Sequence, residues 1–404
     1  MNPDPLPLAG VRVLDLSRVL AGPYCTLTLA DMGADVIKIE KPDGGDDSRA
    51  FSPAYRGESA YFLTVNRNKR SVALDIRQPA GRDAFLKLVA KADVVVENFR
   101  TGVMERLGLG YATLQQIRPS LVYCAISGYG RDGPSVDLPG YDPIAQAESG
   151  LMSMIGEPEH APVRVGSSVV DMVTGLFASQ AIAASLRRAA LTGRGRLIEA
   201  TLHETALAML LNFAGTHLLT GANPTRSGNI NQVAQPAALF EASDGPFVMA
   251  VANDRQFRQL CSEIIGRPEL ARDARFATNP ARVENGAELR AMLGEIFRAG
   301  RRDDWVARLR RVGVAAGVVA TVAEALASDY VAARGLVRRN GHSTVGAYPA
   351  LRGVARLHGS AELPARGAPV LGEHTCEVLA EVGGLSAEAI AALIQAGVAK
   401  AAGK

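Results

Sequence analysis

One acidic residue, Asp171, stands near the start of a long apolar segment with the sequence VVDMVTGLFASQAIAASLRR. An acid in the first helical turn is stabilised by the helix dipole and by unpaired N–H groups, so a capping role accounts for its position. The valines before it predict a poorly hydrated carboxylate, and such a carboxylate can act as a nucleophile. The local sequence alone favours the capping role and leaves the nucleophile open.

Polar and basic residues also cluster at three points beside predicted strands. The three sets are Arg18 with the helix start at Pro23; Asn66, Arg67, Asn68, Lys69 and Arg70; and Asn98, Phe99, Arg100 and Arg106. Free N–H groups at a helix start attract anions, and paired cations with amide donors suit phosphates. At strand ends these residue types fit a nucleotide-bearing ligand. Each set alone is equally well explained as a solvated or structural turn.

Other chemistry is excluded or left as an alternative. The sequence contains no GxxxxGK[ST] or GxSxG motif, and no GxGxxG follows the first predicted strand. Its six histidines form no pair at metal-ligand spacing, so no metal site is predicted. Glu40, at the end of the second predicted strand, could hold a ribose hydroxyl, but a surface pair with Lys38 or Lys41 is favoured. Tyr141 lies in a loop rich in glycine and proline, where packing of a structural turn also explains it.

Composition limits the class of protein. Lys plus Arg number 44 and Asp plus Glu 41, a net charge of +3 without a basic run, which argues against a nucleic-acid partner. Four widely spaced cysteines argue against a disulfide framework. The first ten residues lack the pattern of a signal peptide, and we expect no membrane-spanning segment and a cytoplasmic location.

Strand and helix patterns alternate over the first 127 residues. Strands are predicted at 10–17, 35–40, 70–76, 93–99 and 121–127, with helices between them, and this order predicts an α/β fold: a Rossmann-like large domain with a parallel sheet. The expected boundaries are a large domain over 1–200, to which 335–404 return; a smaller α+β domain over 225–325; and linkers at 201–224 and 326–334. A hairpin is predicted in the smaller domain at 238–253 with its turn at SDGP. Helices are predicted at 171–190 and 203–219.

Six segments in order resemble the family III CoA-transferases, the family of formyl-CoA transferase, the carnitine CoA-transferases and the α-methylacyl-CoA racemases. They are VRVLDLSRVLAGPYCTLTLADMGADVIKIEKPDGGDDSR, NRNKRSVALDI, VVVENFRTGVMERLGLGY, SGYGRDGP, VVDMVTG and TGRGRLIEATLHETAL. The resemblance covers nearly the whole chain. It implies a large and a small domain joined by long linkers, and a homodimer in which two chains thread through each other as interlocked rings.

The resemblance also implies roles for individual residues. The catalytic aspartate of the family falls on Asp171 and its active-site tyrosine on Tyr141. The contacts to coenzyme A fall on Arg18, Ala21, Gly22, Lys41, Asn66, Arg67, Lys69, Arg70, Asn98 and Arg106. Acyl-CoA and a carboxylic acid are then the substrates, and no permanently bound cofactor is implied. The implied reaction passes through a mixed anhydride and an aspartyl-CoA thioester.

The sequence differs from members of the family at two positions that bear on the reaction, and one segment bears on the substrate. Asn231–Ala234 stand where formyl-CoA transferase carries a run of glycines, so a glycine lid over the site is not implied. The racemases carry a histidine where Tyr141 stands, which favours a transferase over a racemase. The segment AVANDRQFRQLC is similar to that of transferases acting on succinyl-CoA and short dicarboxylic acids, and Arg49 or Arg164 could bind the distal carboxylate. A racemase or epimerase and a non-catalytic CoA-binding protein remain the alternatives.

Overall fold

The computed structural model describes residues 4–362 and 364–403, so the ends of the predicted large domain, 1–3 and 404, lie outside the described residues. The chain divides into two compact units. The large unit comprises Met1–Leu151, Val165–Gly215 and Arg334–Lys404, and the small unit comprises Met152–Arg164 and Thr216–Ala333.

A seven-stranded sheet organises the large unit. In chain order its strands are β1 (Arg12–Asp15), β2 (Asp35–Glu40), β5 (Lys69–Leu74), β6 (Val94–Glu97), β7 (Val122–Ser127), β8 (Arg196–Thr201) and β14 (Ala399–Lys400); two-residue strands β3 (Ala54–Tyr55) and β4 (Glu58–Ser59) form a separate hairpin. The spatial order is β14-β5-β2-β1-β6-β7-β8. All pairs are parallel except that of β14 with β5.

The parallel strands therefore follow the order third, second, first, fourth, fifth and sixth in sequence, which is the Rossmann order. The β2, β5, β6 and β7 strands are buried along nearly their whole lengths, as expected for strands covered on both faces. The predicted parallel sheet of a Rossmann-like domain is confirmed. The first strand is shorter than the predicted 10–17, because the chain leaves the sheet after Asp15 to form the loop before the first helix.

Helices cover both faces of this sheet. Up to the unit boundary they are α1 (Ala21–Asp31), α2 (Ala60–Val65), α3 (Pro79–Val89), α4 (Val103–Arg106), α5 (Tyr111–Ile117), α6 (Asp142–Glu148), α7 (Val169–Thr192), α8 (Leu202–Leu210) and α9 (Asn212–Thr220), which contains the boundary; α16 (Thr375–Glu381) and α17 (Ala387–Gln395) follow late in the chain. One apolar cluster includes residues of α3, α5, α16 and α17, and a second includes residues of α1, α7 and α8. The strands β12 (Val337–Asn340) and β13 (Tyr348–Leu351) form an antiparallel pair.

Two sequence-based expectations about helices need correction. The helix predicted over 203–219 is two helices, α8 and α9, interrupted at Leu211, whose φ of 35° departs from helical geometry. Helix α7 is long and apolar enough to cross a membrane by length and composition, although no such segment was expected. Core helices satisfy the same criterion, and the side chains of Val170, Ala178 and Ile182 on α7 pack in the second apolar cluster.

The small unit has a three-stranded antiparallel sheet. Its strands are β9 (Ala237–Ala242), β10 (Gly245–Ala250) and β11 (Ala315–Val318), in the order β11-β10-β9. Its helices are α10 (Asp254–Gln259), α11 (Asn279–Glu284), α12 (Gly286–Phe297), α13 (Arg302–Arg311), α14 (Val322–Leu326) and α15 (Asp329–Ala333). β9 and β10 form the predicted hairpin, joined at Ser243 and Asp244. Edge-to-face contacts of Phe297 with Phe240, Phe247 and Trp305 lie at the centre of the core.

The boundaries of the units differ from the expected domains at three places. Residues 326–333 of the expected linker at 326–334 belong to the small unit, and 329–333 form α15. Residues 152–164, expected in the large domain, belong to the small unit. The expected linker at 201–224 begins instead with α8, whose residues Leu202 and Ala206 are buried in the large unit. The helix predicted over 203–219 was itself part of the expected linker, and composition does not show whether such a helix packs on a domain or joins two domains.

Candidate active site

The neighbouring strands β1 and β6 mark the point where the chain order of the sheet reverses. In sheets of this kind ligands bind beyond the carboxyl ends of the strands at that point. The residues that follow these two strands are joined there. Asn98 accepts a hydrogen bond from the Arg18 N–H through Oδ1 (2.8 Å) and donates one to the Arg18 carbonyl oxygen through Nδ2 (2.8 Å). The Asn98 amide therefore holds the loop that leads into α1.

A cavity of about 530 Å³ opens at this point. Its lining includes eight of the residues singled out from the sequence: Arg18, Ala21, Asn98, Phe99, Arg100, Arg106, Tyr141 and Asp171. Residues from β1, β6 and β7 ends, from the loop before α6 and from the start of α7 thus meet at one place. The structure brings together Asp171 and four of the ten residues expected to contact coenzyme A.

Asp171 does not cap its own helix. The α7 capping position is Ser168, which makes no side-chain capping bond, and Asp171 lies in the first turn. Across residues 4–362 and 364–403, no hydrogen bond or ion pair was found that engages the Asp171 carboxylate. Burial raises the pKa of the Asp171 carboxyl to about 7, and the negative charge of Asp142 adds to the rise. Asp171 therefore makes no capping bond, although it has the first-turn position in which a helix dipole stabilises an acid.

Two helix starts converge beside this carboxylate because glycine allows their close approach. A Cβ on Gly175 of α7 would lie 2.6 Å from the Ala21 carbonyl oxygen of α1. Gly22, in the first turn of α1, has a comparable role toward the preceding loop, since a Cβ there would lie 2.2 Å from the Ser17 Cβ. The first N–H groups of a helix have no intrahelical partner, and Leu20, which precedes α1, provides no side-chain cap. Donors at the start of α1 therefore remain for an anionic group in the cavity.

The loop of Tyr141 is also shaped by glycine contacts. A Cβ on Gly128 would lie 2.5 Å from the Gly140 Cα, so the two ends of this loop touch backbone to backbone. This contact delivers Tyr141 to the start of α6, where its side chain is 66% exposed at the cavity. An exposed phenol in the same lining as Asp171 is available to a ligand in the cavity.

A second cavity, of about 180 Å³, shares Arg18 and Phe99 with the first. The Arg18 guanidinium lies 5.2 Å from the centre of the Phe99 ring. Lys41 lies here, and both Lys41 and Arg18 pair with the exposed Asp47. The cavity also includes Arg77, which sequence reasoning missed. Arg77 follows the end of β5 as Lys41 follows β2, and that equivalent position is the signal that could have identified it.

The set Asn66, Arg67, Lys69 and Arg70 is not part of either cavity. Arg67 pairs with Asp31 at the end of α1, and Arg70 pairs with Asp35 at the start of β2. The reason is the position of each set relative to its strand. These four residues lie where the chain enters β5, whereas the sets around Arg18 and Asn98 lie where the chain leaves β1 and β6. Entries and exits of parallel strands lie at opposite edges of a sheet.

Asn66 and Lys69 are buried beneath the start of α1. The Lys69 Nζ donates to Asp15 Oδ2 (3.0 Å), to the Pro23 carbonyl oxygen (2.9 Å) and to Asn66 Oδ1 (2.9 Å). Asp15 also accepts hydrogen bonds from Ser17 N–H and from the Thr26 hydroxyl. This buried network supports the loop around Arg18 from the protein interior and is not open to a ligand.

Two further expectations about charges are wrong. Glu40 pairs with Arg49 through a bidentate contact (2.7 and 2.8 Å), not with Lys38 or Lys41. Lys38 instead pairs with Asp46 (2.8 Å), which is buried like itself. Arg49 is thus neutralised, and its guanidinium lies 3.7 Å from the centre of the Phe62 ring, so it is not available for a substrate carboxylate. Arg164, the other candidate, belongs to the small unit.

Tyr61 of α2, which the sequence analysis did not single out, interacts with the charge of Asp171. Burial raises the pKa of Tyr61 to about 12, and the charges of Asp171, Asp46 and Asp142 add to the rise. The described residues contain no group of three or more His, Cys, Asp or Glu side chains placed to hold a metal ion.

Known proteins resemble this chain along nearly its whole length. The family model for CoA-transferase family III matches residues 8–375. A human succinyl-CoA:glutarate CoA-transferase is 39% identical, over 97% of this chain and 90% of its own. A succinate–glutarate CoA-transferase of Agrobacterium fabrum is 39% identical, over 93% and 96%. The crystal structure of a CAIB/BAIF family protein of Brucella suis has a TM-score of 0.86 and 40% identity, covering 94% of this chain and 100% of the other. The chain is therefore a CoA-transferase and belongs to CoA-transferase family III, as the resemblance of its motifs implies.

Proposed function

We propose that this enzyme moves coenzyme A from a short dicarboxylyl-CoA, such as succinyl-CoA, to a second dicarboxylic acid, such as glutarate, with Asp171 as the nucleophile. The observation that carries the proposal is the state of the Asp171 carboxylate. It is partly buried on the wall of a cavity at the switch point of the sheet, caps no helix, and has a pKa raised to about 7. The relatives named above support the choice of substrates.

The reaction begins with transfer of the acyl group to the enzyme. The ionised Asp171 carboxylate attacks the thioester carbonyl of the donor, and the C–S bond breaks to release the CoA thiolate and leave a mixed anhydride. The thiolate then attacks the aspartyl carbonyl of the anhydride, and the donor acid leaves as its carboxylate. Asp171 is now an aspartyl-CoA thioester, and the energy of the original thioester is kept.

The acceptor repeats these steps in reverse. Its carboxylate attacks the aspartyl-CoA carbonyl, which displaces the thiolate and forms a second anhydride. The thiolate attacks the acceptor carbonyl, and Asp171 leaves as a carboxylate. No proton is transferred in the sequence, which suits a site whose nucleophile and leaving groups are carboxylates and thiolates. The N–H groups at the start of α1 are the proposed donors to the oxyanions of the tetrahedral intermediates.

Basic residues around the two cavities are the proposed contacts to coenzyme A. They are Arg18, Lys41, Arg77 and Arg106, all close to strand exits. Ala21 and Gly22 contribute through the backbone at the start of α1, and Asn98 by holding the loop. We assign Tyr141 to the substrate side because its exposed side chain stands beside Asp171 in the same lining.

A homodimer of interlocked rings in the cytoplasm belongs to the same proposal. Large apolar side chains on α7, α8 and α9 support it, because they are exposed in the single chain. They are Leu176, Phe177, Leu207, Phe213, Leu218 and Leu219. Large exposed apolar patches are typical of surfaces that a partner covers, and these six side chains lie on three consecutive helices. Light scattering of the purified enzyme measures the assembly directly.

The experiment that tests the proposed function follows the fate of coenzyme A. The enzyme is incubated with succinyl-CoA and a panel of mono- and dicarboxylic acids, and the CoA products are separated by chromatography. We expect glutaryl-CoA or another dicarboxylyl-CoA to form, and hydroxylamine to trap Asp171 after incubation with donor alone. A fully active Asp171→Asn variant would contradict the proposal, and deuterium uptake at the α-carbon without an acceptor acid would indicate a racemase.

A further inference from the structure

The first turn of α7 is capped by a side chain from another helix. Asp142, the first residue of α6, is 3% exposed, and its Oδ2 accepts hydrogen bonds from the N–H groups of Val170 (2.8 Å) and Asp171 (3.2 Å). We propose that Asp142 is a positioning residue of the transfer reaction: it fixes the backbone of the nucleophile and holds a second negative charge beside the Asp171 carboxylate. The inference rests on the proposed role of Asp171.

Asp142 is itself held in place. Gln146, which is fully buried one turn later on α6, donates from Nε2 to Asp142 Oδ1 (2.5 Å) and accepts at Oε1 from the Val165 N–H (2.9 Å). The four lone-pair sites of a carboxylate allow this arrangement, in which one oxygen faces α7 and the other faces Gln146. The start of α7 is thus tied through two side chains to α6 and to the segment that precedes α7.

The cap explains why the Asp171 carboxylate is left unengaged. A helix start leaves N–H groups without partners, and an acid in the first turn ordinarily supplies one. Asp142 fills that role from outside, so the Asp171 side chain can point into the cavity instead. An arrangement that served only to stabilise the helix would need a single acid here, whereas the structure places two.

The charge of Asp142 has a second consequence. The other titratable or charged side chains of the cavity lining are Arg18, Asp47, Arg100, Arg106, Tyr129, Asp137 and Tyr141, and Tyr61 of α2 interacts electrostatically with Asp171. The charge of Asp142, together with burial, raises the pKa of Asp171. A carboxylate with a higher pKa is the stronger nucleophile once it is ionised, so the neighbouring charge favours attack at the cost of ionisation at low pH.

Two substitutions separate the cap from the charge. Asp142→Asn removes the charge and keeps one oxygen for the α7 N–H groups, but the new amide nitrogen then faces the Gln146 donor. Adding Gln146→Glu replaces that donor by an acceptor for both the new amide and the Val165 N–H. The D142N/Q146E double variant therefore retains the hydrogen bonds and moves the negative charge one side chain away from Asp171. Asp142→Ala removes cap and charge together.

The readout is the pH dependence of the single-turnover rate at which succinyl-CoA labels the enzyme. For D142N/Q146E we expect the acidic limb of the profile to lie at lower pH than in the wild type, with an unchanged melting temperature. For Asp142→Ala we expect kcat to fall by roughly 10²-fold, because the nucleophile is misplaced, while KM for succinyl-CoA changes little. Asp304→Asn, an exposed first-turn acid of α13, is the control and should match the wild type.

Two results would overturn the inference: an acidic limb of D142N/Q146E that coincides with that of the wild type, or a wild-type kcat in Asp142→Ala. The Asp142→Asn single variant provides the same pH test if the double variant does not fold. Asp171→Asn is measured in parallel. If that variant is active, the proposed nucleophile is wrong; if it is inactive while the profile of the double variant is unmoved, only the role of Asp142 fails.

Discussion

Asn98 and Arg18 are joined by two hydrogen bonds, one in each direction, between the side-chain amide of the first and the backbone of the second. The pair closes the switch point of the sheet, because Asn98 follows β6 and Arg18 follows β1. The next residue, Val19, has a φ of 66° and donates its N–H to Asp46 Oδ1 (3.2 Å). A non-glycine residue in this conformation persists only where its surroundings hold it, so the loop before α1 is shaped from both sides.

Removing the Asn98 amide should release this loop. In Asn98→Ala both polar groups of the Arg18 backbone lose their partner, which costs about 1–3 kcal/mol for each group that stays buried. We expect a lower melting temperature, a higher KM for acyl-CoA and a lower kcat, measured by thermal unfolding and steady-state kinetics. Thr113→Ala, on the exposed side of α5, is a control. Wild-type kinetics in Asn98→Ala would show that the clamp does not position the site.

The raised pKa of Asp171 makes a prediction about stability. In the folded protein the carboxyl titrates at about 7, above its ordinary value of 3.8, so folding favours the protonated form. The stability that this group contributes is therefore full below pH 3.8 and is lost as the pH rises through 7. Asp171→Asn, which carries no charge, should exceed the wild type in stability by on the order of 2–4 kcal/mol at pH 8, with the difference vanishing near pH 4.

Denaturant unfolding of both proteins between pH 4 and 8 measures this difference. Burial also raises the pKa of Glu97 to about 7, so this group titrates over the same range. Because Glu97 is present in both proteins, its contribution cancels in the comparison. A difference that stays constant with pH would mean that Asp171 titrates near its ordinary value, and the proposed environment of the nucleophile would be wrong.

Much of the fold was predictable because its strands are short, apolar and regularly spaced. The pattern DVIKIE marks β2 to the residue, and the alternation of strands with helices predicts the parallel sheet. The break at Leu211 and the excursion of 152–164 into the small unit were not predictable, because both depend on which segments pack together and not on local composition.

The positions of candidate site residues were predictable for residues that directly follow a strand. They were not predictable for charged residues that are neutralised by a partner far away in sequence. Arg18, Asn98 and Lys41 follow strands and line the two cavities. Glu40 and Lys69 are also charged, but their charges are neutralised by Arg49 and Asp15, which lie 9 and 54 positions away in sequence. Sequence shows which side chains are charged, whereas only the fold shows which charges are already neutralised.

We expect basic residues of the second cavity to contact the phosphates of coenzyme A. Arg77 and Lys41 lie on it at the exits of β5 and β2, and both are exposed enough to reorient toward an anion. Removing one phosphate contact by Arg77→Ala should raise KM for acyl-CoA several-fold, with kcat nearly unchanged, because the contact is equally strong in ground and transition states. Arg82→Ala on α3 should leave KM as it is. A wild-type KM in the Arg77→Ala and Lys41→Ala variants would place the phosphates elsewhere.

The buried pair of Lys69 and Asp15 leads to a prediction about kcat. We expect catalysis to depend on these two charges although neither is open to a substrate. Both side chains are completely buried, and Lys69 reaches the Pro23 carbonyl oxygen at the start of α1. Lys69→Met leaves Asp15 without its partner, which should cost about 3–5 kcal/mol of stability and loosen the start of α1. Adding Asp15→Asn removes the stranded charge, so the double variant should regain most of the stability measured by denaturant unfolding. Because it still lacks the bond to Pro23, its kcat should stay below that of the wild type, and full recovery of kcat would show that the Lys69 contact to α1 does not matter for catalysis.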